Sequence, residues 1–158
     1  MKFDTNCHSV FMIHFHLILC IKYRNRVIND RISARLREIY EYIAPNYNIT
    51  LEEWNHDADH VHVLFRSHPN TNLSKFINAY KSAGSRLIKK EFPGIRKSLW
   101  KEMFWSQSFC LISTGGVTAD VITEYIRSQG KKEKRVYGRK KSDRGRINCD
   151  GIPEWNQR

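Results

Sequence analysis

A chain of 158 residues is long enough to bury one core and too short for two. With 41% apolar and 12% aromatic residues it cannot be disordered along its whole length. The formal net charge of +11 favours a polyanionic partner, nucleic acid ahead of an anionic membrane surface.

In chain order, Val10 to Lys22 alternates. Phe11, Ile13, Phe15, Leu17, Leu19 and Ile21 share one face and His14 and His16 lie on the other, which predicts a strand. The same run is broken by histidines, is too short to cross a bilayer and is followed by no small-residue cleavage site, so neither a signal peptide nor a membrane partner is expected. Asn29 or Asp30 can cap a helix in which Ile32, Leu36, Ile39, Tyr40 and Ile43 recur at helical spacing, ending near Pro45-Asn46. Ile49 to Trp54 and His60 to Phe65 form a predicted hairpin around Asn55 to Asp59. Asn72 can cap a second helix with Leu73, Phe76, Ile77, Tyr80, Leu87 and Ile88 inward and Lys75, Lys81, Lys89 and Lys90 outward, broken at Phe92-Pro93-Gly94.

A fourth strand is expected at Phe109 to Ile112. Gly115-Gly116 then frees the chain to turn, and Thr118 caps a short last helix that Gly130 stops after Gln129. The order βαββαβ plus a helix predicts an α+β fold, a ferredoxin-like antiparallel sheet with helices on one face. A folded domain is expected over 1–131. In the tail, 132–158, almost no residue is apolar; nine basic residues fall between Lys131 and Arg146 against Glu133 and Asp143. Such a tail is extended or ordered by a partner, and by itself it is also what a solvated arm looks like. The four cysteines have no CxxC spacing, and Cys20 and Cys110 sit in apolar runs; reduced thiols and a cytoplasmic protein are expected.

Two constellations carry chemistry. In Asp59-His60-Val61-His62-Val63, a strand would present His60 and His62 side by side while Val61 and Val63 enter the core. Two neutral imidazoles at that spacing can bind one divalent cation, with Asp57 or Asp59 fixing a tautomer from behind. The same pattern also serves structure, and His14-Phe15-His16 offers a second copy. In Glu124 to Gln129, Tyr125 and Gln129 are one helical turn apart on one face. A phenol is a poor nucleophile at its ordinary pKa of about 10, so a metal beside it, polarising a phosphate oxygen, is what tyrosine attack on a phosphodiester needs. The plain alternative is that Tyr125 packs beside Val121 and Ile122.

These motifs resemble the TnpA-like single-tyrosine transposases of the HUH endonuclease superfamily. The resemblance runs from about His16 to Gln129. It rests on His16-Leu17 with Lys22-Tyr23-Arg24, on Asp59 to Leu64, on Phe104 to Phe109, on Thr114-Gly115-Gly116-Val117, and on Tyr125 with Gln129. It implies that His60, His62 and Gln129 bind one Mg²⁺ or Mn²⁺, in preference to the His14 pair. It further implies that Tyr125 attacks a DNA phosphate to give a 5′-phosphotyrosine link and a free 3′-hydroxyl. The family acts on single-stranded DNA with hairpin ends, as a homodimer in which the tyrosine helix of one subunit completes the other's site. Phosphate contacts are then expected from Lys75, Lys81, Lys89, Arg127, Lys131 and Lys132. Two other readings share the predicted fold. One is a hairpin-binding relative that does not transpose; the other is an RNA-binding ferredoxin-like domain, for which the aromatic pair on two central strands is missing.

Overall fold

The computed structural model describes residues 3–113 and 126–128. A short ribbon of β1 (Asp4–Thr5) and β2 (Val10–Phe11) leads into the long strand β3 (Ile13–Cys20). The helix α1 (Asp30–Ile43), strands β4 (Thr50–His56) and β5 (His60–Ser67), helix α2 (Leu73–Glu91) and strand β6 (Cys110–Ser113) follow. β3, β4, β5 and β6 form one antiparallel sheet in the order β4-β5-β3-β6, which is the expected ferredoxin-like arrangement.

The alternation in β5 decides which way the sheet faces. Val61, Val63 and Phe65 are fully buried, while His60, His62, Leu64 and Arg66 are half-buried on the other side. Val61, Val63 and Phe65 join Leu17, Leu19 and Ile21 of β3 beneath Ile32, Leu36, Ile39 and Tyr40 of α1 and Phe76, Ile77, Tyr80 and Ile88 of α2. Both helices therefore lie on one face. Asn29 caps α1 by accepting from the Ile32 amide at 2.9 Å, and Asn72 caps α2 by accepting from the Lys75 amide at 3.0 Å. The Trp54 indole donates to the buried Ser33 hydroxyl at 3.0 Å, which ties β4 to α1.

The strand expected from Val10 to Lys22 is interrupted at Met12 and resumes at Ile13. α1 stops at Ile43, and a 3₁₀ turn over Ala44–Tyr47 ends on Asn48 at φ 55°, a left-handed residue that turns the chain into β4. Lys81 and Lys89 do not point into solvent as the helical spacing predicted. The Lys81 ammonium donates to the carbonyls of Ser106 and Gln107 at 2.8 and 3.1 Å, and Lys89 donates to that of Glu102 at 3.0 Å. The irregular segment between α2 and β6 has carbonyls that no strand satisfies, and these two lysines supply the missing donors. The division between folded domain and tail at 131/132, the Gly115-Gly116 turn and the start of the last helix lie outside the described residues. Among the described residues no helix is long and apolar enough to cross a membrane.

Candidate functional site

His60 and His62 sit on the sheet face away from the helices, as the alternation predicted. Register places Cys20 opposite His60 and Ile18 opposite His62, so these two buried residues of β3 floor the site. The turn before β5 sets the rest. Asp57 closes the hairpin with its amide on the His60 carbonyl at 2.9 Å, and its carboxylate accepts from the Ala58 amide at 2.7 Å. That amide bond, then the nearby cations, holds the Asp57 carboxyl below its usual range. Asp57 thus shapes the turn, and its carboxylate lies close to that of Asp59 and to the His60 ring: one ligand atom from each of the three falls within 4.8 Å of the others.

Asp59 is 5% exposed and divides its two oxygens. Oδ1 accepts from His60 Nδ1 at 2.8 Å; Oδ2 accepts from Arg24 Nε at 2.9 Å and lies 2.8 Å from Nη2 of the same guanidinium. With Nδ1 bound to a carboxylate, His60 keeps the tautomer that leaves Nε2 as its ligand atom. Backbone bonds hold the whole turn against the chain after β3: Ile21 N to Asp59 O at 2.9 Å and Ile28 N to Ala58 O at 2.8 Å.

His62 is held differently. Its Nε2 lies 3.1 Å from Nδ1 of His16, the diagonal neighbour on β3, with the rings 5.1 Å apart. Burial first, and then His16 and His60, keep the His62 imidazole below its ordinary pKa, which favours the neutral form that can bind a cation. His14 faces Glu52 at 2.9 Å, one further diagonal along the strand, and takes no part in this cluster.

Arg24 ends the Lys22-Tyr23-Arg24 motif, to which the sequence alone assigns no role. The chain reaches it through two consecutive left-handed residues, Tyr23 at φ 56° and Arg24 at φ 54°. Each such non-glycine residue costs on the order of 1 kcal/mol. Local contacts hold the turn in place: Lys22 N to Phe104 O at 2.9 Å, Arg24 N to Ile21 O at 2.8 Å, and Tyr23 edge-on to Trp100 at 5.3 Å. Besides Asp59, the guanidinium donates from Nη1 to the carbonyl of Ile126 at 3.0 Å. Residues 126–128 are helical, and this segment meets the histidine site through Arg24. The signal in sequence was the Lys-Tyr-Arg following the first strand; its reach to Asp59 follows only from strand register.

Tyr125 and Gln129 themselves, like Lys131 and Lys132, lie outside the described residues. Of the other expected phosphate contacts, Lys75 is exposed near the start of α2 and Arg127 is exposed in the helical segment. α2 lies across the sheet from the histidines. A groove beside it is lined by Ser82, Ser85, Arg86, Lys89 and Arg96.

Comparison with known proteins bears on these residues. The family described as transposase IS200-like matches residues 9–129, a span containing every residue of the site just described. The ISDra2 transposase TnpA of Deinococcus radiodurans is 31% identical over 124 residues, covering 78% of this chain and 89% of that protein. The transposase for insertion sequence element IS200 of Salmonella typhimurium is 23% identical over 127 residues, covering 80% and 83%. Among solved structures, that of a proposed transposase from Deinococcus radiodurans superposes with a TM-score of 0.73 at 28% identity, over 80% of this chain and 97% of that one. A REP-associated tyrosine transposase bound to a REP hairpin shares the fold, with a TM-score of 0.51 at 12% identity over 81% and 73%.

Proposed function

The chain belongs to the IS200-like transposase family, and from that premise we propose that it cuts and rejoins single-stranded DNA at the ends of a mobile element, with Tyr125 as the nucleophile. The Tyr125 hydroxyl oxygen attacks a DNA phosphate. Its bond to phosphorus forms, the bond to the 3′-oxygen breaks, the phenol gives up its proton and the departing oxygen takes one up. One strand is left on the enzyme through a 5′-phosphotyrosine link. A second 3′-hydroxyl attacks that link, so rejoining conserves the bond energy and consumes no nucleotide.

His60 and His62, with Gln129, are the residues that would hold Mg²⁺ or Mn²⁺. The donor chemistry fits: two imidazoles adjoin on one face, one oriented by a buried carboxylate and the other held below its ordinary pKa by burial. When bound, the cation would supply charge stabilisation at the phosphate oxygens. Asp59 fixes the His60 ring whether or not a cation is present, and the packed face of β5 beneath both rings keeps them at a constant separation.

The observation that best supports this reading is the link Asp59 makes. One buried carboxylate orients His60 and, through Arg24, touches the backbone of the residue after Tyr125. The partner we propose is single-stranded DNA with hairpin ends, as the REP-associated relative was solved with a REP hairpin. Lys75, Arg127, Lys131, Lys132 and the basic groove beside α2 would take backbone phosphates. Two copies of the chain would act together, sharing sites between subunits.

The test incubates the protein with Mn²⁺ and labelled single strands from the DNA flanking its gene, and compares wild type with Tyr125→Phe on a denaturing gel. A covalent protein–DNA band in wild type alone is expected. If both proteins form adduct, Tyr125 is not the nucleophile. If neither does while both retard the hairpin on a native gel, the chain is a hairpin-binding relative without strand transfer.

A further inference from the structure

We propose that His16 and His62 form a second metal site, a two-imidazole clamp for one Zn²⁺ ion that competes with the His60–His62 pair for the shared ring. The clamp itself stands on described residues alone. Its effect on the enzyme rests on the reading above that His62 helps to hold the working cation.

His16 Nδ1 and His62 Nε2 are 3.1 Å apart, on rings whose centroids are 5.1 Å apart. A tetrahedral Zn²⁺ with Zn–N bonds of about 2.0–2.1 Å holds two ligand nitrogens roughly 3.3 Å from each other. The two rings therefore stand close to the bite of the ion before it arrives. Both are carried on paired strands. His62 is opposite Ile18 and His16 is level with Leu64, so His16 lies beyond His62 along the sheet, on the side away from His60. The backbone ladder holds both Cα atoms, and small ring rotations are all that closing the clamp requires. Imidazole nitrogens in a tetrahedral set suit Zn²⁺, whereas Mg²⁺ and Mn²⁺ favour oxygen ligands in octahedral ones.

The protons balance. In the hydrogen-bonded pair one proton lies between the two nitrogens. When the ion enters, that proton moves through water to the far nitrogen of its own ring, His16 Nε2 or His62 Nδ1, and both imidazoles remain neutral. The surroundings favour a cation as well. Glu53 of β4 is also level with Leu64, on the flank of β5 opposite to His16, and its negative charge acts on the His62 ring. Both rings are half-buried, which leaves solvent-facing positions for water to complete the coordination. Zn²⁺ in the clamp occupies Nε2 of His62 and withholds that imidazole from the pair with His60, so zinc acts as an off-switch.

The test records nitrogen–proton correlation spectra of the histidine rings as Zn²⁺ is added to the full-length protein at about pH 7.5, where free imidazole is neutral. At one equivalent the signals of His16 Nδ1 and His62 Nε2 should move to the metal-bound range while those of His60 stay in place. Calorimetry runs alongside. His16→Phe and His62→Ala should each weaken Zn²⁺ binding at least about tenfold, since each removes one of two ligands, and His60→Ala should change it by less than about threefold. In the Mn²⁺-dependent adduct assay, the Zn²⁺ concentration for half-inhibition should rise at least about tenfold in His16→Phe.

If wild type makes no adduct with Mn²⁺ alone, the reading of function fails, and the spectra and the titration still decide whether the clamp exists. The spectra are read on wild type, so a variant that does not fold leaves that decision intact. Signals of His16 that stay in place, or Zn²⁺ affinity unchanged in His16→Phe, would overturn the proposal. So would equal losses in His16→Phe and His60→Ala, because the three rings would then form one site.

Discussion

The contact between His16 and His62 makes a sharp prediction about metal affinity. His62 Nε2 sits 3.1 Å from His16 Nδ1. A cation that uses that nitrogen must first break the hydrogen bond. A part-buried neutral hydrogen bond contributes about 1 kcal/mol net, so releasing it in advance should tighten binding about fivefold. His16→Phe releases it with least disturbance. The ring is retained against His62, now 5.1 Å away, and the position already faces Ile112 on β6. Calorimetric titration of Mn²⁺ at about pH 7.5, where imidazoles are neutral, reads the affinity directly. At a fixed excess of metal the same change adds about 1 kcal/mol of linked stabilisation, or roughly 2–4 °C in melting temperature for a chain of this size. His62→Ala is the control and should abolish the heat. Weaker binding by His16→Phe than by wild type would refute the reasoning, because His16 would then be a ligand rather than a competitor. Unchanged binding would show that the hydrogen bond does not stand in the way of the ion.

Three further outcomes follow from the same structure. Burial, together with His16 and His60, depresses the pKa of His62, so below about pH 6.5 the unfolded chain takes up a proton the folded chain resists. Stability should therefore fall as pH drops from about 6.5 towards the lower native value, and urea midpoints for His62→Gln should decline less over that window. The buried Tyr80 hydroxyl donates to the Leu36 carbonyl at 3.1 Å while that of Tyr40 is buried with no partner among the described residues. Tyr80→Phe should thus lose about 1 kcal/mol in chemical denaturation, whereas Tyr40→Phe should lose nothing or gain a similar amount. Gly84 is buried within α2, and a methyl there would meet Leu36 Cδ2 at 3.5 Å and Trp105 Nε1 at 3.6 Å, ordinary contact distances. Gly84→Ala should raise stability by about 0.5–1 kcal/mol, measured the same way; a loss would mean the helix–helix spacing does not tolerate the methyl.

The helical and strand periods of the sequence were strong enough to locate α1, β5, α2 and the caps Asn29 and Asn72, because each follows from local patterning. The direction in which His60 and His62 point was legible for the same reason, since alternation alone puts Val61 and Val63 in the core. What the sequence did not reveal was pairing across strands. That His16 would meet His62, 46 positions on, depends on β3 and β5 aligning Leu64 with His16. Arg24 escaped notice as a site residue because its reach depends on two left-handed residues that no propensity favours. Lys81 and Lys89 read as solvated because helical spacing says where a side chain leaves the helix. It does not say that an irregular segment will return to cover it with carbonyls in need of donors.

β5 is paired along all eight of its residues with β3 on one side and from Val61 to Arg66 with β4 on the other. Its core residues and its histidines are opposite sides of the same ribbon, so adding or deleting one residue within it exchanges Val61 and Val63 for the imidazoles. β4, at the sheet edge, already holds an extra residue between Leu51 and Glu53, where the register shifts. Changes of length are thus absorbed at that edge, at the expense of the ion pairs Glu52 makes with His14 and Arg66. A lineage of such proteins can change length at the β4 bulge before Glu53, short of Trp54 and its bond to Ser33, while a one-residue change in β5 turns the site inside out.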